Sequence, residues 1–191
     1  MICSGDIVLA ETGTAAHGSR SFKFPAKVQM ITAATWLSIE YMLPATLGAA
    51  LGQCEVRECE VPQSSRPITP YAILFIGDES LQMSIQELGN IIRHRINVII
   101  FIINSHGYTI ERAIHGRHQE YNDIASWRHV QALSFFGNDE DHAKRNTFAA
   151  TTWEELESVL DLVRKSDGVR LVEVFMGRED NQGALLDLLK N

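Results

Sequence analysis

Several things are scarce in this chain, and each scarcity excludes a class of protein. No apolar run is long enough to cross a bilayer; the longest, Val98–Ile103, has the length of a buried strand. Cysteine is limited to Cys3, Cys54 and Cys59, an odd set without a CxxC pair. That argues against a disulfide framework and reads as reduced thiols in an intracellular, cytoplasmic protein. No second Cys or His pair stands near Cys54 and Cys59, so a thiolate metal site has little support. The first ten residues contain no apolar core of a signal peptide. Basic charge is also scarce. The formal net charge is −7, and Arg93-His94-Arg95 is only a short cluster that reads as a solvated helix end. Neither nucleic acid nor an anionic membrane is an expected partner. No GxGxxG follows a strand, which weakens a nicotinamide-binding reading. There is no internal repeat and no low-complexity segment.

What is present suits one soluble domain. The chain has 191 residues, enough to bury a sizeable core, and its 45% hydrophobic and 21% charged content is that of a globular protein. Ile7–Ala10, Ala72–Ile76, Val98–Ile103 and Leu171–Phe175 read as strands, with Thr147–Ala150 as a further candidate. Ala72–Ile76 and Val98–Ile103 are continuously apolar, as in a parallel sheet covered on both faces. Lys27–Trp36 is ambiguous and fits a short strand. Leu81, Ile85, Leu88, Ile91 and Ile92 recur at helical spacing, so 80–93 is expected as one amphipathic helix. Ser38 suits the cap of a helix towards Leu51, although Pro44 should kink it or shift its start. Gln53–Pro70 reads as a surface loop. Short helices are expected over Ile110–Ile114 and Trp127–Leu133, and another over Gly183–Leu189. Thr152 and Glu155 form a capping box before a further helix. The alternation predicts an α/β fold: a three-layer, doubly wound, mostly parallel sheet with helices on both faces.

Such sheets bind ligands at the carboxyl ends of their strands. The polar turns at 11–14, 77–80 and 104–107 all follow apolar strands and should share that edge. Asp78, between a strand and a helix, offers a carboxylate to a divalent cation. Ser80 is a natural N-cap and a possible phosphate donor. Asn104–Gly107 adds side-chain oxygens and a backbone carbonyl, the hard donors such a cation takes. The alternative is that Asp78 and Ser80 merely cap a helix beside an ordinary turn. Trp127, Phe135 and Phe136 read as core aromatics.

Separate blocks then carry a resemblance. Ala10-Glu11-Thr12-Gly13-Thr14, Ala45-Thr46-Leu47-Gly48-Ala49-Ala50, Gly77–Gln82 and Gln86-Glu87 are among them. Asn104–Glu111, Ile114-His115-Gly116, Tyr121-Asn122-Asp123-Ile124, Trp127 and Val172–Met176 continue in the same order. Together they are similar to the C-terminal, diphosphate-binding domain of the thiamin-diphosphate-dependent 2-oxo acid decarboxylases, the fungal-type pyruvate and indolepyruvate enzymes above all. The resemblance spans nearly the whole chain as one domain, 1–191. It implies that the pyrimidine-binding and middle domains of a complete subunit lie outside this sequence.

What the resemblance implies is specific. The cofactors are thiamin diphosphate and Mg²⁺, and the reaction is non-oxidative decarboxylation of a 2-oxo acid to an aldehyde and carbon dioxide. Asp78 and the Gly107 carbonyl take the roles of metal ligands. Ser105 stands where the second of two asparagines would give the third, and Asn104 matches the first. Thr14 and the backbone of Leu37, Ser38 and Ile39 face the aminopyrimidine, with Ile39 as the wedge that bends the cofactor. Glu79, Ser80, Ser105, His106, Gly107, Tyr108, Thr109 and Ile110 complete the cofactor set, and Glu111 is the acid/base group. His106 reads as a turn residue and His115 as structural. Glu79 replaces a glycine that the diphosphate approaches, and Leu37, Glu40 and Pro44 also replace glycines. The expected partners are a small 2-oxo acid and either a second copy of the chain or the pyrimidine-binding domain of a full-length subunit. The isolated chain is then expected to lack full activity. A diverged, non-catalytic paralogue or interaction subunit that keeps the fold is the alternative.

Overall fold

The computed structural model describes residues 2–60, 71–178 and 180, with the side chains of 57–60 left aside. Six strands form one sheet: β1 (Ile7–Ala10), β2 (Gln29–Thr32), β3 (Ala72–Gly77), β4 (Val98–Asn104), β5 (Thr147–Ala150) and β6 (Val169–Phe175). Their order is β2-β1-β3-β4-β6-β5, and every pairing is parallel. The helices are α1 (Thr14–Ser19), α2 (Met42–Glu60), α3 (Asp78–Ser84), α4 (Glu87–His94), α5 (Thr109–His115), α6 (Ala132–Phe135), α7 (Glu140–Asn146) and α8 (Trp153–Val163). None of them, among the described residues, is long and apolar enough to cross a membrane.

The continuous apolar runs are explained by what covers them. Alternate strand residues feed two cores. Leu9, Leu74, Ile76, Ile100, Ile102 and Leu171 pack with Met42, Leu43, Leu81, Leu88 and Ile91 from α2, α3 and α4. Ile73, Ile99, Phe101 and Val172 pack on the other face with Val159 and Val163 of α8. Phe75 stacks on Phe101 with centroids 5.0 Å apart, and Phe22 meets Phe75 edge-on at 5.2 Å. Two-sided burial is what a parallel sheet with helical crossovers requires. From β1 the chain steps outward to β2, then returns across the sheet to β3 and β4. The crevice between the carboxyl ends of β1 and β3 is therefore the switch point where such folds place ligands.

Several local expectations hold and others change. Thr147–Ala150 is a strand, and the Thr152–Glu155 capping box is complete, with Glu155 N–H donating to Thr152 Oγ1 at 3.2 Å. Lys27–Trp36 contributes the edge strand β2. Helix α2 begins at Met42 rather than just after Ser38, which makes Pro44 its third residue. The first helical bond is then Ala45 N–H to Tyr41 C=O at 3.1 Å, and Pro44 costs no hydrogen bond. The helix runs on to Glu60, so Gln53–Glu60 is not loop; 61–70, with Pro62, Pro67 and Pro70, lie outside the described residues, as does Gly183–Leu189.

The expected helix over 80–93 is two helices. The ladder tightens where Leu88 N–H reaches Ile85 C=O and Gly89 N–H reaches Gln86 C=O, both three residues back. Ser80 is not a cap: α3 starts at Asp78 and Gly77 holds the cap position. Trp127 lies before a 3₁₀ turn at His129–Gln131, not in a helix. Phe136 packs on the core, but Trp127 is part-exposed and Phe135 is 80% exposed. Arg93 and His94 end α4 as expected, with Arg95 in the left-handed conformation that closes it.

The capping box gives one check on the fold. Thr152→Ala should lower stability by about 1 kcal/mol, read as a shift of the urea midpoint at unchanged slope. An unchanged midpoint contradicts the assigned start of α8.

Candidate functional site

The three polar turns meet at the switch point, because all three leave the carboxyl ends of neighbouring parallel strands. After β1, the fully buried Glu11 uses both carboxyl oxygens as anchors. It accepts from Thr12 N–H at 2.8 Å and from Met42 N–H at 3.0 Å, so it ties this turn to the start of α2. Burial pushes its pKa up, more strongly than these bonds pull it down. After β3, the buried Asp78 reaches across to the turn after β4. Its carboxylate accepts from Gly107 N–H at 3.0 Å and, more weakly, from Ser105 N–H at 3.4 Å.

The turn after β4 is built around left-handed backbone. His106 has φ 58° and Gly107 φ 113°. A Cβ on Gly107 would lie 2.8 Å from Arg112 Nη2 and collide with the Asn122 carbonyl, so only glycine fits. Buried Arg112 holds the turn from outside, donating to the carbonyls of Ser105, His106 and Asn122 and to Asp123 Oδ1. From inside, Asn104 Oδ1 accepts from His106 N–H at 3.1 Å while Asn104 Nδ2 donates to Glu173 Oε1 at 2.7 Å. The same Glu173 oxygen lies 2.8 Å from His129 Nδ1. A carboxylate can only accept, so the ring carries its proton on Nδ1; Nε2 is buried without a partner among the described residues. Sequence reasoning missed Arg112, His129 and Glu173 as supports, since their partners lie 6 to 69 residues away in no local pattern.

Three oxygens of the proposed metal set come together. Ser105 Oγ donates to the Gly107 carbonyl at 3.2 Å and accepts from Thr109 Oγ1 at 2.7 Å, beside the Asp78 carboxylate. Adjacent ligands of an octahedral Mg²⁺ stand roughly 3.0 Å apart; the Ser105 Oγ–Gly107 carbonyl separation is close to that, so these oxygens and the neighbouring carboxylate could serve a hard cation. Among the described residues there is no cluster of three or more His, Cys, Asp and Glu side chains of metal-binding arrangement. The set here draws instead on a hydroxyl and a backbone carbonyl.

Next to it lies a cavity of about 690 Å³. Leu37, Ile39, Glu79, Ser80, Tyr108, Ile110 and Glu111 line it, together with Gly13 of the turn at 11–14 and with His17 and Phe24, which the sequence did not single out. Thr14 begins α1 and Ser38 lies behind the wall, where its carbonyl accepts from Thr12 Oγ1 at 3.0 Å. Ser105, Gly107 and Thr109 are buried and do not line this cavity, and Asp78 and His106 line a smaller cavity of about 300 Å³ with Asn104 and His129. Leu37 and Glu40, both at positions where glycine was expected, adopt φ 50° and 75°. The wall keeps a glycine-like backbone at a cost of about 1 kcal/mol or more per residue. Glu111 stands at the cavity wall, with Oε2 3.2 Å from His115 Nε2 one turn on.

Acidic groups cluster at one end of the cavity. The Glu79 carboxyl is buried with Oε2 unpartnered among the described residues. Burial first, then the neighbouring Asp78 and Glu11, push its pKa up to about 8. Tyr108 is raised by burial and by Glu79, Asp78 and Glu111. His17 is lowered by burial and by Arg20.

Two measurements follow from this geometry. The folded chain holds a proton on Glu79 between pH 4.5 and about 8 that the unfolded chain has released. Its contribution to stability is therefore fully present below pH 4.5 and is lost as pH rises towards 8. Glu79→Gln should flatten the dependence of the urea midpoint on pH over that window; parallel curves for the two proteins contradict the buried carboxyl. Glu173→Ala should cost roughly 2–4 kcal/mol, because it strands two buried donors. A loss below 0.5 kcal/mol, of the order of a surface substitution, would show that the network does not hold the turn.

The chain matches the family model described as thiamine pyrophosphate enzyme, C-terminal TPP binding domain, over residues 11–174. It is 49% identical to a pyruvate decarboxylase of Aspergillus parasiticus, aligned over 98% of this chain and 33% of that protein. It is 42% identical to pyruvate decarboxylase isozyme 2 of Saccharomyces cerevisiae, over 90% of this chain and 28% of the relative. A pyruvate decarboxylase of Aspergillus fumigatus is 38% identical, over 94% and 30%. The chain thus spans about a third of the length of the curated relatives it matches. The matched span contains all three turns and the cavity between them, and the chain belongs to the thiamin-diphosphate enzymes as a C-terminal TPP-binding domain.

Proposed function

We propose that this domain holds thiamin diphosphate through Mg²⁺ and serves a pyruvate decarboxylase-like enzyme, which converts a 2-oxo acid to an aldehyde and carbon dioxide. The observation that carries the proposal is the convergence of Asp78, Ser105 and the Gly107 carbonyl beside a cavity at the switch point. Those three groups would hold the cation. When bound, thiamin diphosphate supplies the electron sink that lets carbon dioxide leave a 2-oxo acid.

The chain's own residues have separate tasks in this reading. Asp78 fixes the turn and offers charge to the metal. Ile39, Leu37, Tyr108 and Ile110 exclude water from the cavity and orient what enters it. Glu111, with its Oε2 beside His115 Nε2, holds or gives up a proton at the cavity wall. The exposed Trp36, Leu37 and Tyr41 form an apolar rim suited to a pyrimidine-binding domain from a full-length subunit or a second copy. The relatives' extra length supports the view that further domains complete the site. One observation favours a second reading, that of a diverged domain without chemistry: the buried carboxyl of Glu79 inside the cavity.

Calorimetric titration with thiamin diphosphate and Mg²⁺ separates the two. The proposal expects saturable binding that requires Mg²⁺ and weakens about tenfold or more in Asp78→Ala. No binding at millimolar cofactor by the wild type or any variant at position 79 favours the diverged domain. The chain alone should release no aldehyde from pyruvate; aldehyde formed by the purified chain, with both cofactors and no partner, contradicts the need for further domains.

A further inference from the structure

We propose that the side chain of Glu79 is an internal plug at the diphosphate end of the cavity, which must swing out before a diphosphate can enter. This rests on the reading of the site given above. The carboxyl folds back over the end of β3 rather than pointing to solvent. A Cβ built on Gly77 would lie 2.7 Å from both Glu79 Cδ and Oε1, and one built on Gly13 would lie 4.0 Å from Oε1. The group therefore lies between Gly13, in the turn after β1, and Gly77, the last residue of β3, next to Asp78 at the start of α3. That is the space a terminal phosphate would need in order to reach a cation held by Asp78 and Gly107.

Nothing nearby explains the burial. No described residue donates to Oε2, and the charged side chains closest in effect, Asp78 and Glu11, are both acidic. The carboxyl hydrogen-bonds with the Asp78 carboxyl and with its own backbone N–H, and Oε2 keeps no partner among the described residues. A carboxyl buried beside like groups is costly, and an arrangement of this kind persists when the group stands in for something else or when the surrounding packing leaves no exit. The wall facing it, Tyr108 at the cap of α5 and Ile110 in its first turn, is part-exposed and lines the cavity, so the cavity side is the open one. A side chain in the second position of α3 can leave that way by rotating about its own χ angles, with the helix unmoved.

The obstruction is one of bulk, and substitutions test it directly. Wild type, Glu79→Ala, Glu79→Gly and Glu79→Gln are titrated with thiamin diphosphate in Mg²⁺, and with inorganic pyrophosphate in Mg²⁺, after circular dichroism confirms each fold. Glu79→Ala keeps helix propensity, so it decides the matter if Glu79→Gly fails to fold. The plug expects Glu79→Ala to bind both ligands at least about tenfold more tightly than wild type, and Glu79→Gln, which keeps the shape, to gain much less. Equal gains for Ala and Gln overturn it, because charge would then be the obstruction. Weaker binding by Glu79→Ala also overturns it and makes Glu79 a ligand. If wild type and Glu79→Ala bind thiamin diphosphate equally well, the plug alone fails; if no form binds, the cofactor reading fails with it.

Discussion

The Asp78 carboxylate, reaching from the end of β3 to the backbone N–H groups of the turn after β4, is the constraint on which the site depends. It fixes the positive-φ turn at His106 and Gly107, and that turn places the Ser105 hydroxyl and the Gly107 carbonyl on one side of the carboxylate. Arg112, its charge paired with Asp123, holds the turn from outside by donating to the carbonyls of Ser105 and His106, and Asn104 anchors the turn's first residue to Glu173 and His129. Remove the carboxylate and two buried N–H groups lose their acceptor at the point where the sheet offers its ligand crevice.

Around that tie the site is acidic. Glu11, Asp78 and Glu79 all lie near the same crevice, and burial pushes Glu11 and Glu79 towards the protonated form. Glu11 is accounted for: it joins the first turn to the start of α2. Glu79 is not, and its position between Gly13 and Gly77 makes it the feature in which this domain departs furthest from a ready diphosphate cradle. Leu37 and Glu40 are milder departures, since their backbones take the conformation a glycine would take, at the cost of strain.

The parts legible in the sequence are those set by local pattern. Continuous apolar runs announce β3 and β4, and the capping box marks α8, because two-sided burial and cap geometry leave signatures within a few residues. The shared edge of the three turns also follows, since parallel strands put all their carboxyl ends on one side. The start of α2 at Met42 is not legible, because Glu11, far away in sequence, caps it. Neither is the break between α3 and α4, where the ladder tightens inside an unbroken apolar period. At the site, residue types suggest Asp78 and the turn Asn104–Gly107, and the resemblance adds Glu111 and the separate roles of Ser105 and Gly107, but the inward turn of Glu79 depends on the space left by two glycines near the ends of different strands, which no spacing encodes.

The most direct test of the account is a crystal structure of the chain grown with Mn²⁺ in place of Mg²⁺ and with thiamin diphosphate. The account predicts one anomalous peak bonded to an Asp78 carboxylate oxygen and the Gly107 carbonyl, diphosphate oxygens completing its shell, and the Glu79 side chain moved away from Gly77. A peak that avoids Asp78 and Gly107, or a diphosphate bound with Glu79 still folded over Gly77, would contradict it.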